Sequence, residues 1–388
     1  MKKSLVALAI LAAAGVASAQ SSVTLFGVVD VAYAHGSGSG AGSSSKSQLI
    51  KNGYNSSRLG FRGTEDLGGG MSASFWLEAG FAPDSGTGEA SNTNNQNPSA
   101  TALNAGDTQR LANNQGLTFN RRSTVSLASG LGELRLGRDY TPHFWNQTVF
   151  DPFGTNGVGT NQTLNSGLGG VTAVRASNSV GYFLPGNLGG FYGQFQAYMG
   201  ENNKNGAVTE KDGSGSSIRL GWANGPVNVA IATSRTKFAR TGAVAAVAAT
   251  PGNVGAAAVA AGGGDVKSTN IGGSYDFGVA QLMALATRDR VDSATAVTGK
   301  GALIGGLVPL GAGQIRVAYS TYKTDTAAAP KSKKIALGYV HNLSKRTALY
   351  TTFARVTNSG GATQALNGAT TAANNRSTGY DFGIKHSF

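Results

Sequence analysis

The sequence predicts an all-β fold: a transmembrane antiparallel β-barrel of about 16 strands, with one long loop folded into the lumen. Three observations predict it. Short segments alternating apolar and polar residues recur along the chain, separated in turn by tight turns and long polar loops, as the strand period and loop asymmetry of an outer-membrane barrel require. Charged residues are only 13% of the chain and Gly supplies 58 of 388 residues, well apart from the ~25% and ~7% of soluble proteins. Past the N-terminus no apolar run reaches the ~18 residues of a helical span. The mean hydropathy of −0.12 is also too low for a bundle of membrane helices.

The N-terminus reads as a leader. Lys2 and Lys3 precede an apolar run from Leu5 to Val16, and Ala17-Ser-Ala19 follows. That is the build of a secretory signal peptide, too short for a transmembrane helix. Residues 1–19 are therefore expected to be a signal peptide and 20–388 the barrel, in an outer membrane reached by export. There is no Cys, so no disulfide holds the fold in an oxidising compartment; a closed ladder of hydrogen bonds replaces it. The formal charge of +13 becomes +11 without Lys2 and Lys3. These charges are scattered along the strands with no basic block, which argues against a nucleic-acid partner.

In chain order, Val23, Leu25, Val29, Val31 and Tyr33 share one face of a first strand, with Thr24 and Asp30 on the other. A Gly/Ser-rich loop is expected over 35–55. Leu59 and Phe61 then oppose Arg58 and Arg62, and Glu65-Asp-Leu-Gly-Gly-Gly70 reads as a turn. Ala73, Phe75, Leu77, Ala79 and Phe81 share a face against Ser72, Ser74, Trp76 and Glu78. After a polar loop over 83–118, strands are expected near 119–129 and up to Gly137, then near 175–184, 190–199, 216–223 and 226–236. An Ala/Gly-rich external loop over about 238–266 precedes strands near 267–276, 279–290, 301–309, 313–323, 333–342, 346–357 and 376–388. Tyr33, Phe75, Phe81, Trp222, Tyr339 and Tyr380 fit the aromatic belts of a membrane interface.

The stretch that organises the chain is Leu134-Arg-Leu-Gly-Arg-Asp-Tyr-Thr-Pro142 and the segment after it, about 140–174. Alternation fails at Gly137-Arg138, and some 35 residues follow with little strand pattern. A structureless segment of this length in a compact fold is functional or disordered. Here it is expected to fold inward and narrow the barrel.

Four stretches carry a family resemblance: Ser22-Val-Thr-Leu-Phe-Gly-Val-Val-Asp30; Ser57-Arg-Leu-Gly-Phe-Arg-Gly63 with Glu65-Asp-Leu-Gly68; Leu136-Gly-Arg-Asp-Tyr-Thr-Pro142 leading to Asp151-Pro-Phe-Gly154; and Tyr380-Asp-Phe-Gly-Ile-Lys-His-Ser-Phe388. In this order, over essentially the whole mature chain, they resemble the general porins of Gram-negative outer membranes, most closely the β-proteobacterial type. The resemblance implies a homotrimer of 16-stranded barrels with an inward third loop. It also implies passive diffusion of small hydrophilic solutes and ions.

The resemblance further implies a constriction in which wall arginines face loop carboxylates. Carried over by motif, these are Arg58, Arg138 and Arg175 on the wall and Asp151 on the loop. Strand parity places Arg58 and Arg175 toward the lumen. Arg138 shares the parity of Leu134 and Leu136, so it faces the lumen only if a bulge at Gly137 re-aims it. Asp151 is the only carboxylate between Tyr140 and Val174, fewer than relatives often carry, so a cationic excess and an anion preference are expected. Asp151 also fits a plain turn cap before Pro152. Asp30, Arg62, Glu78 and Arg135 have the parity of lumen-wall residues. Arg121 falls on the apolar parity of Val125 and Leu127, which fits a site above the membrane or a subunit contact. Phe388, a terminal aromatic on an amphipathic strand, resembles the signal read by barrel-assembly machinery, and the outer face implies lipid and lipopolysaccharide as partners.

No cofactor, metal or catalytic group is expected. His35, His143, His341 and His386 lack zinc-ligand spacing, and neither a phosphate-binding loop nor a nucleophile elbow occurs; His143 would be the best base of a barrel enzyme. Two other readings stay open: an adhesin or structural barrel whose pore is incidental, and a secreted soluble β-protein.

Overall fold

The computed structural model describes residues 22–91, 95, 116–166, 168–207, 209–239, 264–292 and 295–388. The expected leader, 1–19, and the Ala/Gly-rich segment 241–263 lie outside the described residues.

The first seven strands are β1 (Ser22–Gly38), β2 (Ser45–Lys51), β3 (Arg58–Gly68), β4 (Met71–Ala82), β5 (Thr87–Gly88), β6 (Arg122–Ser129) and β7 (Gly132–Tyr140). The helix α1 (Pro142–Val149) follows. The remaining strands are β8 (Arg175–Phe183), β9 (Phe191–Tyr198), β10 (Gly215–Asn224), β11 (Val227–Thr236), β12 (Val266–Asp276), β13 (Gln281–Val291), β14 (Val297–Leu310), β15 (Gly313–Thr324), β16 (Lys331–Asn342), β17 (Thr347–Ser359) and β18 (Arg376–Ser387).

Neighbours pair antiparallel all the way round, and β1 closes on β18 from Val28↔Ser387 to Gly38↔Ser377. On its other edge β1 pairs first with β3 and then with β2. β2 and β3 are thus one barrel strand interrupted at 52–57, and β5 is a two-residue pair on β4. The 18 strands therefore make a closed barrel of 16, the form in which a sheet can satisfy its backbone groups in lipid.

The faces are inverted relative to a soluble protein. Leu25, Leu127, Phe195, Ile231, Ile271, Ile304, Leu337 and Phe382 are exposed on the outside. Asp30, Glu78, Ser217, Asn270, Asp289, Lys334 and Asp381 are buried inside. Tyr33, Phe75 and Tyr380 stand on the outer face, while Phe81, Trp222 and Tyr339 are half-buried. Several strand boundaries differ from the sequence reading: β3 runs to Gly68 through the expected turn, and β7 runs on to Tyr140 past Gly137. β1 runs on to Gly38, and β2 lies inside the expected loop 35–55, because β1 offers Ser45–Lys51 a ladder that Ser-Lys-Ser-Gln does not announce by alternation.

The segment 141–174 lies inside the barrel, against the wall. Pro142 at the first turn suits a helix start, so this part of the expected irregular loop is helical. The His143 N–H reaches Ser217 Oγ at 3.3 Å. Asn146 Nδ2 donates to Ala230 O at 3.0 Å and to Asn270 Oδ1 at 2.8 Å. Farther round, Thr163 meets Thr287 at 2.9 Å, Lys334 Nζ donates to Val158 O at 3.1 Å and the Val158 N–H donates to Asp381 at 3.0 Å. An apolar cluster joins Phe150, Phe153 and Val158 of the loop to Ala230, Leu285, Leu303, Ala318, Ala336 and Ala354 of the wall. The wall makes room with small residues: a Cβ on Gly272 would collide with the Phe150 ring.

Candidate functional site

The loop covers the wall from β10 round to β18 and meets the 52–57 segment, where the Gly157 N–H donates to Asn52 O at 2.9 Å. An opening lies between the loop and β3, β4 and β6–β8. It is a cavity of about 610 Å³, bounded on the loop side by Phe144, Trp145, Thr148, Thr155 and Leu164. On the wall side stand Arg58, Trp76, Glu78, Arg121, Arg122, Tyr140 and Arg175, with Lys51 and Glu89 at the rim.

Tyr140 is the hub. Its hydroxyl accepts from Arg121 Nη2 at 2.6 Å and from Arg175 Nη2 at 2.8 Å. The Arg175 guanidinium lies 4.3 Å from the Tyr140 ring centroid, a cation–π placement. The ring in turn stacks on Phe144 at 5.5 Å and contacts Trp145 at 5.1 Å, both from α1. Helix and arginines are thereby fixed to one another.

Glu78 is the wall carboxylate. It accepts from Arg121 Nε at 2.6 Å and from Trp76 Nε1 at 3.0 Å, and pairs with Arg58 at 3.4 Å. Arg58 also donates to Asn55 Oδ1. Arg122 sits 4.5 Å over the Trp76 ring and 3.8 Å from Asp139. Lys51 pairs with Glu89. Burial raises the Glu89 carboxyl, but the Lys51 and Arg121 charges outweigh it and hold the group below its usual range.

Of the four residues expected at the constriction, the structure brings Arg58 and Arg175 to the cavity. Arg138 is absent from its lining. A register shift between Gly137 and Asp139 does break the ladder, with Asn178 on the partner strand at a positive φ of 54°. The result is a buried Arg138 that donates to Asn120 O at 2.5 Å and Ser177 Oγ at 2.8 Å, holding the loop before β6 to β8. Asp151 is also absent. It is buried, accepting the Phe153 N–H at 2.9 Å and the Asn161 N–H at 3.1 Å. It caps its own turn, and burial raises its carboxyl above the usual range despite those bonds.

Among the expected wall residues, Glu78 lines the cavity itself. Asp30 is fully buried, accepting N–H bonds from Gly53, Tyr54 and Asn55 at 2.7–3.1 Å and the Tyr350 hydroxyl at 2.5 Å. It holds the 52–57 segment that presents Asn55 to Arg58. Arg62 lies over the Phe26 and Trp76 rings, at 5.3 and 5.1 Å from their centroids, and the two rings meet edge to face at 4.9 Å. Arg135 pairs with Glu133 at 2.8 Å and Asp139 at 2.6 Å. Phe388 exchanges two main-chain hydrogen bonds of 3.1 Å with Gly27, at the seam.

Sequence reasoning missed Arg121, Arg122, Tyr140, Lys51 and Glu89. Arg121 precedes β6, so strand parity counted from Val125 does not reach it. The signal available was the Arg121-Arg122 doublet entering a strand opposite Glu78.

The sequence profile of the Gram-negative porins matches residues 4–361. The chain belongs to the Gram-negative porin family. This porin is 35% identical to outer membrane porin protein 32 of Delftia acidovorans, over the whole of both chains. It is 30% identical to an outer membrane porin of Bordetella pertussis, over 90% of this chain and 93% of that one. Among solved structures it resembles the anion-selective porin from Comamonas acidovorans, with a TM-score of 0.77 and 32% identity, covering 95% of this chain and 100% of that one. OmpT of Vibrio cholerae, solved in a trimer form, shares the fold alone: TM-score 0.61 at 12% identity, over 95% and 99% of the two chains. The porin is an outer-membrane protein and a channel for passive diffusion, and neither the adhesin reading nor the soluble one has support in its relatives or its fold.

Proposed function

We propose that the cavity between Arg175 and the inward loop is the constriction of the channel, and that it prefers anions. One observation carries this reading. Five cationic side chains line the cavity (Lys51, Arg58, Arg121, Arg122 and Arg175) against two carboxylates, Glu78 and Glu89, an excess of three positive charges. The likeness to the anion-selective porin from Comamonas acidovorans supports it.

The mechanism is electrostatic and steric. The packed loop sets the width, and the arginines are held in place by Glu78, Tyr140 and aromatic faces, so they do not swing aside as a solute passes. A unit charge ~6 Å from another feels roughly 3 kcal/mol at an effective dielectric of ~20. Water in the lumen lowers this, yet ~1.4 kcal/mol already gives a tenfold bias. Rings of charged side chains tune pores in the same way. The reading assigns no catalysis: His143 is buried, and its Nδ1 has no hydrogen-bond partner among the described residues. The assembly we infer is a homotrimer with one channel per barrel.

The test is uptake into liposomes containing the purified protein, with an anionic and a cationic solute matched in size. Faster anion entry is expected. Equal rates, or faster cation entry, would contradict the reading.

A further inference from the structure

The inward helix is turned opposite to what a water-filled passage would ask of it. α1 buries His143, Asn146 and Gln147 against the barrel and turns Phe144, Trp145 and Thr148 toward the cavity. Positions i, i+1 and i+4 make one helix face, and a helix beside water ordinarily sets its amides out and its rings in. The reversal leaves Gln147 Oε1 without a hydrogen-bond partner among the described residues, which is unfavourable for a buried amide. Farther along the loop, Leu164 and Val174 join the same lining. Trp145, Leu164 and Val174 are half-buried, so part of each is open to a passing solute, while Phe144 is nearly covered. No charged side chain of the loop lines the cavity.

The wall side is cationic, with Arg58 and Arg122 half-buried at the lining. Tyr140 joins the two sides. Trp145 contacts its ring at 5.1 Å and the Arg175 guanidinium lies 4.3 Å from its centroid. An indole and a guanidinium thus meet the same ring, and all three border one cavity.

We propose that, among anions, this cavity favours those that join a single charge to a flat apolar body, the aromatic carboxylates and sulfonates, over compact hydrophilic ones. The inference rests on the anion-preferring constriction above and adds a second criterion to it. A solute of this class sets its charged group on the cavity's arginines through charge-assisted hydrogen bonds, and its ring against Trp145 and Leu164. Contact between aromatic rings corresponds to a bias of roughly two- to tenfold. A polyhydroxylated anion makes the first contact only. It sheds water beside Trp145 and Leu164, where no polar group replaces the lost hydrogen bonds. Trp145 and Leu164 are therefore the residues that set this specificity.

The test uses the full chain in planar bilayers, with benzenesulfonate and dihydroxypropanesulfonate as probes. Both are monovalent, ionised at every working pH and close in size. The measurement is the concentration of each that halves the potassium chloride current. For the wild type the aromatic probe should act at a several-fold lower concentration. Trp145→Gln and Leu164→Ser should each bring the two concentrations together, and Trp145→Phe should keep them apart. Arg58→Glu with Arg175→Glu should weaken both probes alike. Equal concentrations in an anion-selective wild type would overturn the aromatic preference and leave the anion preference standing. A cation-selective wild type would remove the anion preference and this inference with it. An undiminished preference in both Trp145→Gln and Leu164→Ser, or a rise in their unitary conductance with both probes weakened equally, would leave Trp145 and Leu164 a packing role only and overturn the assignment.

Discussion

Arg121 Nε stands 2.6 Å from Glu78 Oε1, and both side chains are almost wholly buried. The pair joins the loop end before β6 to the middle of the wall, and its second cation, Arg58, shares the same oxygen at 3.4 Å. One carboxylate therefore orders two arginines of the cavity.

Replacing Glu78 with Gln should raise the cationic excess of the cavity from three to four and strengthen anion preference. It also removes the nearest counter-charge of the buried Arg121, leaving only the more distant Glu89, a change that costs on the order of 3 kcal/mol. The check is a larger zero-current potential of the same sign, with a lower urea midpoint for unfolding. An unchanged potential would place Glu78 outside the field that ions feel.

Gly272 gives Phe150 its place on the wall. Gly272→Leu should push the ring off, since overpacking of this kind costs about 1–3 kcal/mol. Single-channel recording should show a larger and noisier conductance as the loop loosens. Wild-type conductance would mean that the loop holds without this contact.

His143 carries a pH dependence. Burial alone lowers its imidazole to about 4, from the ~6.5 of an exposed histidine. Above pH ~6.5 the ring is neutral whether the loop is docked or released. Between pH ~6.5 and 4 the released loop binds the extra proton, so docking weakens as pH falls. Closures and current noise should therefore rise from pH 7 to pH 4.5, and His143→Gln should flatten the response. Asp151, raised by burial, stays in both proteins and cancels from the comparison. An equal response in the variant would assign the effect to Asp151 or the wall.

Phe388 closes the seam through its pair of bonds with Gly27. Deleting it removes that pair and the terminal aromatic that we propose the assembly machinery reads. Cells should then accumulate exported, unassembled chain. A normal yield of heat-modifiable trimer would refute both roles.

The barrel was legible because its physics is local. Period two in Phe191–Tyr198 or Thr347–Ser359 shows in the sequence, and the alternation of short and long connections orients the whole. The cavity was legible only in part. Arg58 sits on a regular strand, so its parity holds. Arg175 reaches the cavity although the bulge at Asn178 breaks the alternation it would share with Ser179. Arg121, Lys51 and Glu89 come together through pairings tens of residues apart, for which local pattern carries no signal. Asp151 followed the family motif by position, but the turn it caps keeps both its oxygens occupied.

The most direct test is the zero-current potential across a planar bilayer with a tenfold salt gradient, for the wild type and for Arg58→Glu with Arg175→Glu. The account predicts a wild-type potential of anion-selective sign that fades toward 1 M salt, where the Debye length is ~3 Å, and a shift toward cations in the double variant. A cation-selective wild type, or a double variant with the wild-type potential, would contradict it.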